Sequence, residues 1–248
     1  MLDCHCHLLD AGVPAAVFFD SLSGCHVTKL YCNTTHASQW SALSAAAAHY
    51  PQIIPFYGIH PWHIRPATAA ADLQLLAALL EEDHCFCGEI GLDRLCATDF
   101  SLQEEIFISQ LDIAMGTKSF VAIHCVKAWG RVLEILASYQ GKINFMIHGF
   151  HGSREVMERL VAMGGMISFS DRVIQPSQQR LQDVLRVTSL ENLLLETDFP
   201  AHKGDKGPGP KTYCQHITPL YLFVSRLRHV SVAELVQIIG RNGSLSTY

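Results

Sequence analysis

Four histidines and two carboxylates at the ends of apolar runs are the residues of this sequence best suited to chemistry. They are, in chain order, His5, His7, Glu89, His124, His148 and Asp198. Imidazole nitrogens and carboxylate oxygens together favour divalent metal ions, and one carboxylate can bridge two ions held about 3.5–4 Å apart. We therefore predict a centre of two divalent ions, without deciding among Mg, Mn and Zn.

Two of the six lie in the short segment His5-Cys6-His7. Side chains alternate between the two faces of a strand, so His5 and His7 point the same way. Asp3 lies one step earlier on that face, while Cys4 and Cys6 point to the opposite side. A single histidine after an apolar run is more often a buried, hydrogen-bonded core residue than a ligand. Six such residues at strand ends are much harder to explain as packing, and we favour the metal site.

Three further residues are candidates for the same site. His60 follows the third apolar run and could be a ligand, a phosphate-binding donor or a general acid; the alternative is a histidine that caps a proline-directed turn. Arg94 could hold a phosphate through its planar guanidinium, although a loop arginine is usually only solvated. Glu196 precedes Asp198 by two positions and shares its face, so it could orient a ligand or accept a proton. We favour substrate binding for His60 and Arg94 and a supporting role for Glu196.

The apolar runs alternate with helical patterns along the sequence. We predict strands over residues 2–8, 26–34, 53–59, 86–90, 120–124, 143–148, 166–169 and 193–197. Helices are predicted over residues 14–22, 38–50, 67–82, 101–115, 129–139, 153–163, 177–187, 212–228 and 232–240. This alternation, with short loops and no break in composition, predicts a single (β/α)8 TIM-barrel domain over residues 1–248. A barrel gathers the carboxyl ends of its strands at one mouth, where the six candidate ligands would meet.

Local signals predict where several helices begin and end. Ser38 is a plausible N-cap, the segment 101–104 (SLQE) has the pattern of a capping box, and Ser153 is expected to cap the helix that follows it. The two glycines at 164–165 end that helix. A doubly wound sheet is the competing fold, but no Gly-rich phosphate turn follows the first strand.

The composition narrows the class of protein. The 248 residues are 49% hydrophobic and 17% charged, which suits a globular chain that buries a core. A formal charge of −5 argues against a globally basic nucleic-acid-binding surface, although bound cations would reverse the field at one pocket. Nine cysteines without a regular framework favour a reduced intracellular protein, and no apolar run approaches the roughly 20 residues of a membrane span. We expect a cytoplasmic protein that does not bind a membrane and has no obligate protein partner.

Motifs between residues 3 and 200 resemble those of the TatD family of metal-dependent hydrolases, often called TatD-type deoxyribonucleases. They are His5-x-His7, 58–61 (GIHP), 88–93 (GEIGLD), His124, 148–153 (HGFHGS) and 196–200 (ETDFP). The resemblance implies an amidohydrolase-like barrel in which Glu89 bridges two metal ions and His60 lies near the scissile phosphate. The implied ligands of one ion are His5, His7, Glu89 and Asp198, and those of the other are Glu89, His124 and His148.

The sequence departs from the family pattern outside these ligands. The family usually has an aromatic residue where this chain has Arg94, and a small hydroxyl residue where it has His151. Taken alone, His151 predicts a surface histidine at a helix N-terminus. The segment 200–211 also differs, and its lysines Lys203, Lys206 and Lys211 could contact a polyanion, although a charged loop is usually only solvated. These departures affect the predicted substrate and leave the predicted ligands unchanged.

The favoured hypothesis is hydrolysis of a phosphoester by a metal-activated water, with DNA as the favoured substrate. Glu89, Asp198 and His60 are the predicted catalytic residues: Asp198 would take a proton from the water, and His60 would stabilise the phosphoryl oxygens. Cleavage of an amide, ester or lactone at the same centre is the first alternative, because a fold does not determine a substrate. A binding protein that has lost catalysis is the second.

Overall fold

The structure, a computed structural model, describes residues 1–11, 14–22, 25–82, 85–200 and 210–244, and of residues 17, 20, 21 and 210–212 it describes the backbone. Its strands are β1 Leu2–Cys6, β2 Lys29–Asn33, β3 Ile53–Tyr57, β4 Phe86–Asp93, β5 Val121–Val126, β6 Phe145–Ile147, β7 Met166–Ser170 and β8 Leu193–Glu196. Its α-helices are α1 Ala15–Ser21, α2 Trp40–His49, α3 Ala69–Leu80, α4 Phe100–Thr117, α5 Trp129–Ala137, α6 Arg154–Ala162, α7 Gln179–Val187, α8 Pro210–Arg228 and α9 Val232–Asn242.

The eight strands form one parallel sheet in which each strand pairs with the next along the chain. The first and last strands meet where Cys6 pairs in parallel with Phe199. Beside this bridge, the amide of His7 donates to Phe199 O at 2.7 Å and the amide of Asp198 donates to His5 O at 2.9 Å. The predicted barrel is therefore confirmed.

Burial on both faces explains why the strands are apolar almost throughout. Strands covered by side chains on one face and by helices on the other have no solvent-facing positions, so they lack the polar alternation of exposed sheets. All eight residues of β4 are buried. The outer helices are amphipathic instead: α5 buries Val132, Leu133, Ile135 and Leu136, which share one face at helical spacing.

Strand β4 runs three residues beyond its predicted end because of Gly91. Its φ is +150°, and a Cβ at this position would overlap the backbone carbonyl of His124. Without a side chain, Gly91 lies directly against His124 and the pairing with β5 continues to Asp93 and Val126. Asp93, expected in a loop, thus belongs to the strand that carries Glu89. In β2 the strand is shorter than predicted, because His26 has a left-handed backbone with φ 51°.

Two of the predicted helix starts are wrong. Ser38 lies inside a 3-10 turn, Ala37–Gln39, and does not cap α2. The N-cap of α4 is Asp99, whose carboxylate accepts from the amide of Leu102 at 3.1 Å in place of the predicted capping box. A carboxylate there also interacts favourably with the helix dipole. The Ser153 cap is confirmed, since its hydroxyl accepts from the amide of Val156 at 3.4 Å.

The sequence led us to expect that all cysteines are reduced, and this expectation is wrong. Cys25, which follows α1, forms a disulfide with Cys214 in α8, and this bond ties two peripheral segments that are 189 residues apart. Cys4 and Cys6 are fully buried on the side of β1 away from its histidines, and the sulfurs of Cys6 and Cys32 lie 3.6 Å apart. None of the helices that the structure describes has the length and apolar character that a membrane crossing needs.

We expect Gly91→Ala to lower the free energy of unfolding by about 2–4 kcal/mol. The new methyl group would have to displace the His124 backbone, and alanine would be strained at the positive φ of residue 91. The measurement is an equilibrium unfolding curve in urea, monitored by circular dichroism. Gly130→Ala is the matched control, since a Cβ at that helical position meets nothing within 4 Å. It should change stability by at most about 1 kcal/mol, and in the stabilising direction. Equal effects of the two substitutions would contradict the role given to Gly91.

Candidate metal centre

The structure brings the six predicted ligands together at the carboxyl-terminal mouth of the barrel. His5 is on β1, with His7 directly after that strand, Glu89 is on β4 and His124 is on β5. His148 follows β6 by one residue and Asp198 follows β8 by two. These positions, far apart in the sequence, converge because the strands are parallel and neighbours in chain order are neighbours in the barrel.

Glu89 lies at the middle of the cluster, and each of its carboxylate oxygens faces one pair of histidines. Oε1 lies 2.7 Å from both His124 Nδ1 and His148 Nε2. Oε2 lies 3.2 Å from His7 Nε2 and 3.4 Å from His5 Nε2. The side chain is only 3% exposed, so protein groups rather than water surround it. A carboxylate that bridges two cations presents its oxygens in this divided way.

The donors suit divalent cations chemically as well as in position. His5 Nε2 and His7 Nε2 lie 3.1 Å apart, as do His124 Nδ1 and His148 Nε2. Two imidazole nitrogens at this distance point their lone pairs at a common space, which one proton or one cation fills. Asp198 adds an oxygen, with Oδ1 3.5 Å from His7 Nε2. Mixed nitrogen and oxygen donors of this kind fit zinc or manganese.

The electrostatics of the cluster favour positive charge. Burial alone would raise the pKa of Glu89, but the charge of His148 and hydrogen bonds from His124 and His148 hold it well below its ordinary value. Burial would lower the pKa of His7, yet its contacts with Asp198 and Glu89 raise it to about 10. The carboxylates therefore stabilise a cation at this point, whether it is a proton on imidazole or a metal ion.

His60 reaches the same cluster as a neutral imidazole. Burial lowers its pKa to about 4, against the opposing charge of Glu89. Its Nδ1 accepts a hydrogen bond from the amide of Trp62 at 3.1 Å, so in the neutral ring the proton is on Nε2. That nitrogen lies 3.4 Å from Glu89 Oε1. His60 thus presents a hydrogen-bond donor to the space between the ligands.

Two buried carboxylates lie beside the outer nitrogens of the second histidine pair, His124 and His148. Glu196 is fully buried; its Oε1 accepts from the amide of Gly149 at 2.6 Å and lies 3.4 Å from His148 Nδ1. This is the supporting position predicted for Glu196. Asp93 does the same for the other ring, with Oδ2 3.5 Å from His124 Nε2. Sequence reasoning assigned Asp93 no role, although its spacing of four from Glu89 places both on one face of a longer strand.

Asp3 supports the strand that carries the first histidine pair, His5 and His7. It is fully buried, and its carboxylate accepts from the hydroxyls of Thr197 at 2.6 Å and Tyr213 at 2.7 Å, and from the amide of His5 at 3.2 Å. Burial raises the pKa of Asp3 to about 7, against these hydrogen bonds. One side chain thereby connects β1, β8 and α8 beneath His5 and Asp198. No local sequence signal points to Tyr213, because it lies 210 residues from its partner.

Five of the six ligands, all but the fully buried His5, line an open cavity of about 750 Å³, which is also lined by His36, Trp62, His151 and Arg172. Arg94 is not among the residues that line it: its guanidinium carbon stacks 3.9 Å from the centre of the Phe100 ring, and the substrate role of Arg94 stays a prediction. His151 is exposed, as interpreted above, and it also lines the cavity. Lys203 and Lys206 lie outside the described residues, as does the side chain of Lys211.

Comparison with known proteins agrees with this geometry. The chain is 25% identical to the uncharacterized metal-dependent hydrolase YjjV of Escherichia coli K12 over 249 residues, which cover 97% of this chain and 95% of the relative. It is 29% identical to the 3′-5′ ssDNA/RNA exonuclease TatD of Escherichia fergusonii over 79% of this chain and 76% of the relative. The crystal structure of YJJV, a TatD homologue from Escherichia coli K12, superposes with a TM-score of 0.83 at 24% identity, covering 98% of this chain and 95% of that one.

The family model described as TatD related DNase matches residues 2–244. All the strands and α-helices given above fall within this match. The resemblance seen in the sequence motifs is therefore confirmed along the chain, and so is the predicted hydrolase class. This chain belongs to the TatD-related DNase family.

Proposed function

We propose that this protein is a metal-dependent phosphodiesterase that cleaves DNA at a centre of two divalent cations. The single observation that carries the proposal is the placement of Glu89, whose two oxygens each face a separate pair of imidazoles. A structural carboxylate needs one or two partners, whereas the two oxygens of this one face four imidazoles that come from three strands, β1, β5 and β6. The nuclease name of the Escherichia fergusonii relative supports a nucleic-acid substrate.

The ligands divide into two sets that share Glu89. His5, His7, Glu89 and Asp198 would hold one cation, and Glu89, His124 and His148 would hold the other. Bound there, divalent cations would lower the pKa of a water molecule and offset negative charge on the phosphoryl group. Mg, Mn and Zn are the candidates, and the histidine-rich donor set favours Mn or Zn.

The remaining chemistry belongs to two side chains at the edges of the cluster. Asp198 is the more accessible carboxylate, 24% exposed, and burial is outweighed by His7 and the neighbouring imidazoles, which lower its pKa. It is therefore ionised and positioned to accept a proton from the attacking water. His60, neutral with its proton on Nε2, would donate to a non-bridging phosphoryl oxygen as negative charge accumulates there.

The supporting carboxylates determine how the imidazoles face the cluster. Glu196 and Asp93 each lie beside the outer nitrogen of a histidine, which favours a proton on that nitrogen and leaves the inner nitrogen free to bind. Among the described residues, Arg172 is the arginine that lines the cavity, so it could take the phosphate-binding role predicted for Arg94. It would attract the anionic backbone of a substrate.

We expect Glu89→Gln to reduce hydrolysis of single-stranded DNA, assayed with added Mg or Mn, by at least about 100-fold, because an amide cannot supply two anionic oxygens to two cations. Bound metal, measured on purified protein by plasma mass spectrometry, should fall in parallel. Glu134→Gln is the matched control: that carboxylate is 65% exposed and pairs only with Arg131 among the contacts described. Full activity of Glu89→Gln would refute the assignment.

A substrate panel separates the proposed activity from its alternatives. Single-stranded DNA, a model phosphodiester and a set of amides, esters and lactones are each incubated with metal-loaded protein. We expect turnover of the phosphodiesters, because the neutral donor on His60 and the cationic Arg172 suit a tetrahedral anion. Turnover confined to the acyl compounds would replace the nuclease proposal with the first alternative, and binding without any turnover would favour the second.

Asp93→Asn should weaken binding of one cation by about 10- to 100-fold, because His124 would lose the carboxylate beside its outer nitrogen. The other ion, held by His5, His7 and Asp198, should be affected less, so a calorimetric titration of metal-free protein with Mn would resolve into two unequal steps. Asp183→Asn, at an exposed position paired with Arg186, serves as the control and should leave the titration unchanged. An unaltered titration of Asp93→Asn would show that His124 needs no such support.

A further inference from the structure

Trp62 is an exposed aromatic side chain on the wall of the cavity. It is 54% exposed, although indole is among the side chains most favourably buried. Of the large hydrophobic side chains that the structure describes as exposed, it is the one that lines the cavity. It belongs to a short 3-10 turn, Pro61–His63, directly after the segment that carries His60. Its position beside the ligands requires an explanation other than core packing.

Trp62 is fixed in place by hydrogen bonds from both its ring and its backbone. Its ring N–H donates to Asp93 Oδ2 at 2.6 Å, and its backbone N–H donates to His60 Nδ1 at 3.1 Å. The ring meets the His60 imidazole edge-on, with centroids 5.0 Å apart and planes at 84°. Immobilising an aromatic surface before a ligand arrives reduces the entropy lost on binding. Trp62 therefore has the rigidity of a binding surface.

The indole also lies close to the cluster. Its centroid is 6.4 Å from that of His124, and Asp93, which holds the indole, also lies beside His124. Elsewhere in the same cavity, Arg172 supplies positive charge and His36 stacks with His63 at 4.8 Å. A ligand matched to this cavity carries an anionic group for the cluster and a flat aromatic group for the indole. A nucleotide has both, joined by one sugar.

We propose that Trp62 is a stacking surface for the nucleobase attached to the phosphate being hydrolysed, a role that rests on the proposed phosphodiesterase function. Stacking on an aromatic ring accepts any base, because every base has a π face. Trp62 thus selects nucleotides over other phosphoesters without selecting among sequences. It is a substrate-binding residue that distinguishes nucleic acid from a simple phosphodiester.

The test compares Trp62→Ala with Trp62→Phe in the Mn-loaded protein. Both variants lose the N–H that donates to Asp93, so any difference between them reports the ring alone. The substrates are an oligothymidylate and an oligonucleotide of the same length built from abasic residues. We expect KM for the oligothymidylate to be about tenfold higher in Trp62→Ala than in Trp62→Phe, with similar kcat, and no difference between the variants on the abasic substrate. Equal KM values for the two variants on the oligothymidylate would overturn the proposal, as would an equal rise on both substrates.

A binding measurement keeps the inference separate from catalysis. Calorimetry with thymidine 5′-monophosphate and deoxyribose 5-phosphate should show that Trp62→Ala binds the nucleotide about tenfold more weakly than Trp62→Phe, and the sugar phosphate equally. If the unaltered protein cleaves no phosphodiester, the proposed function fails, and this comparison still decides whether Trp62 stacks a base. Leu75→Ala, at a position 49% exposed on α3 and away from the cavity, should change neither measurement. Loss of base-dependent binding in that control as well would overturn the assignment to Trp62.

Discussion

Concentration of negative charge at one buried carboxylate is the constraint on which the rest of this structure depends. Glu89 is almost inaccessible to water, and burying an isolated carboxylate is costly. Five imidazoles within 3.4 Å compensate for that cost, and the outer nitrogens of two of them, His124 and His148, lie beside Asp93 and Glu196. These side chains come from several strands, so the cluster forms only when those strands are in register.

Residues that are not themselves ligands hold these strands in register. Gly91 allows β4 and β5 to approach closely, which sets the relative height of Glu89 and His124. Asp3 performs the corresponding task at the closing seam, where it links β1 to β8 and α8. Neither residue is a candidate ligand. The positions of the ligands thus depend on Gly91 and Asp3, which contact the strands that carry the ligands.

Much of the fold and the candidate ligands could be predicted from the sequence, because both depend on local patterns. Apolar runs that alternate with helical segments indicate strands and helices, and a histidine or acid after such a run is placed at the barrel mouth by topology alone. Contacts between distant segments leave no such pattern. Tyr213 is recognisable as a partner of Asp3 only once α8 has packed, and Arg94 was assigned to substrate although its side chain lies on Phe100. Asp93 was missed because the strand was predicted to end too early.

The hydrogen bonds of Asp3 reach across nearly the whole chain, from the third residue to the two hundred and thirteenth. During synthesis the first seven strands leave the ribosome long before Tyr213 does. A nascent chain can therefore contain His5, Glu89 and His124 and still lack both Asp198 and Tyr213, the partner of Asp3. The complete cluster needs residues from both ends of the described chain, so a translation product that stops before Asp198 carries no finished centre.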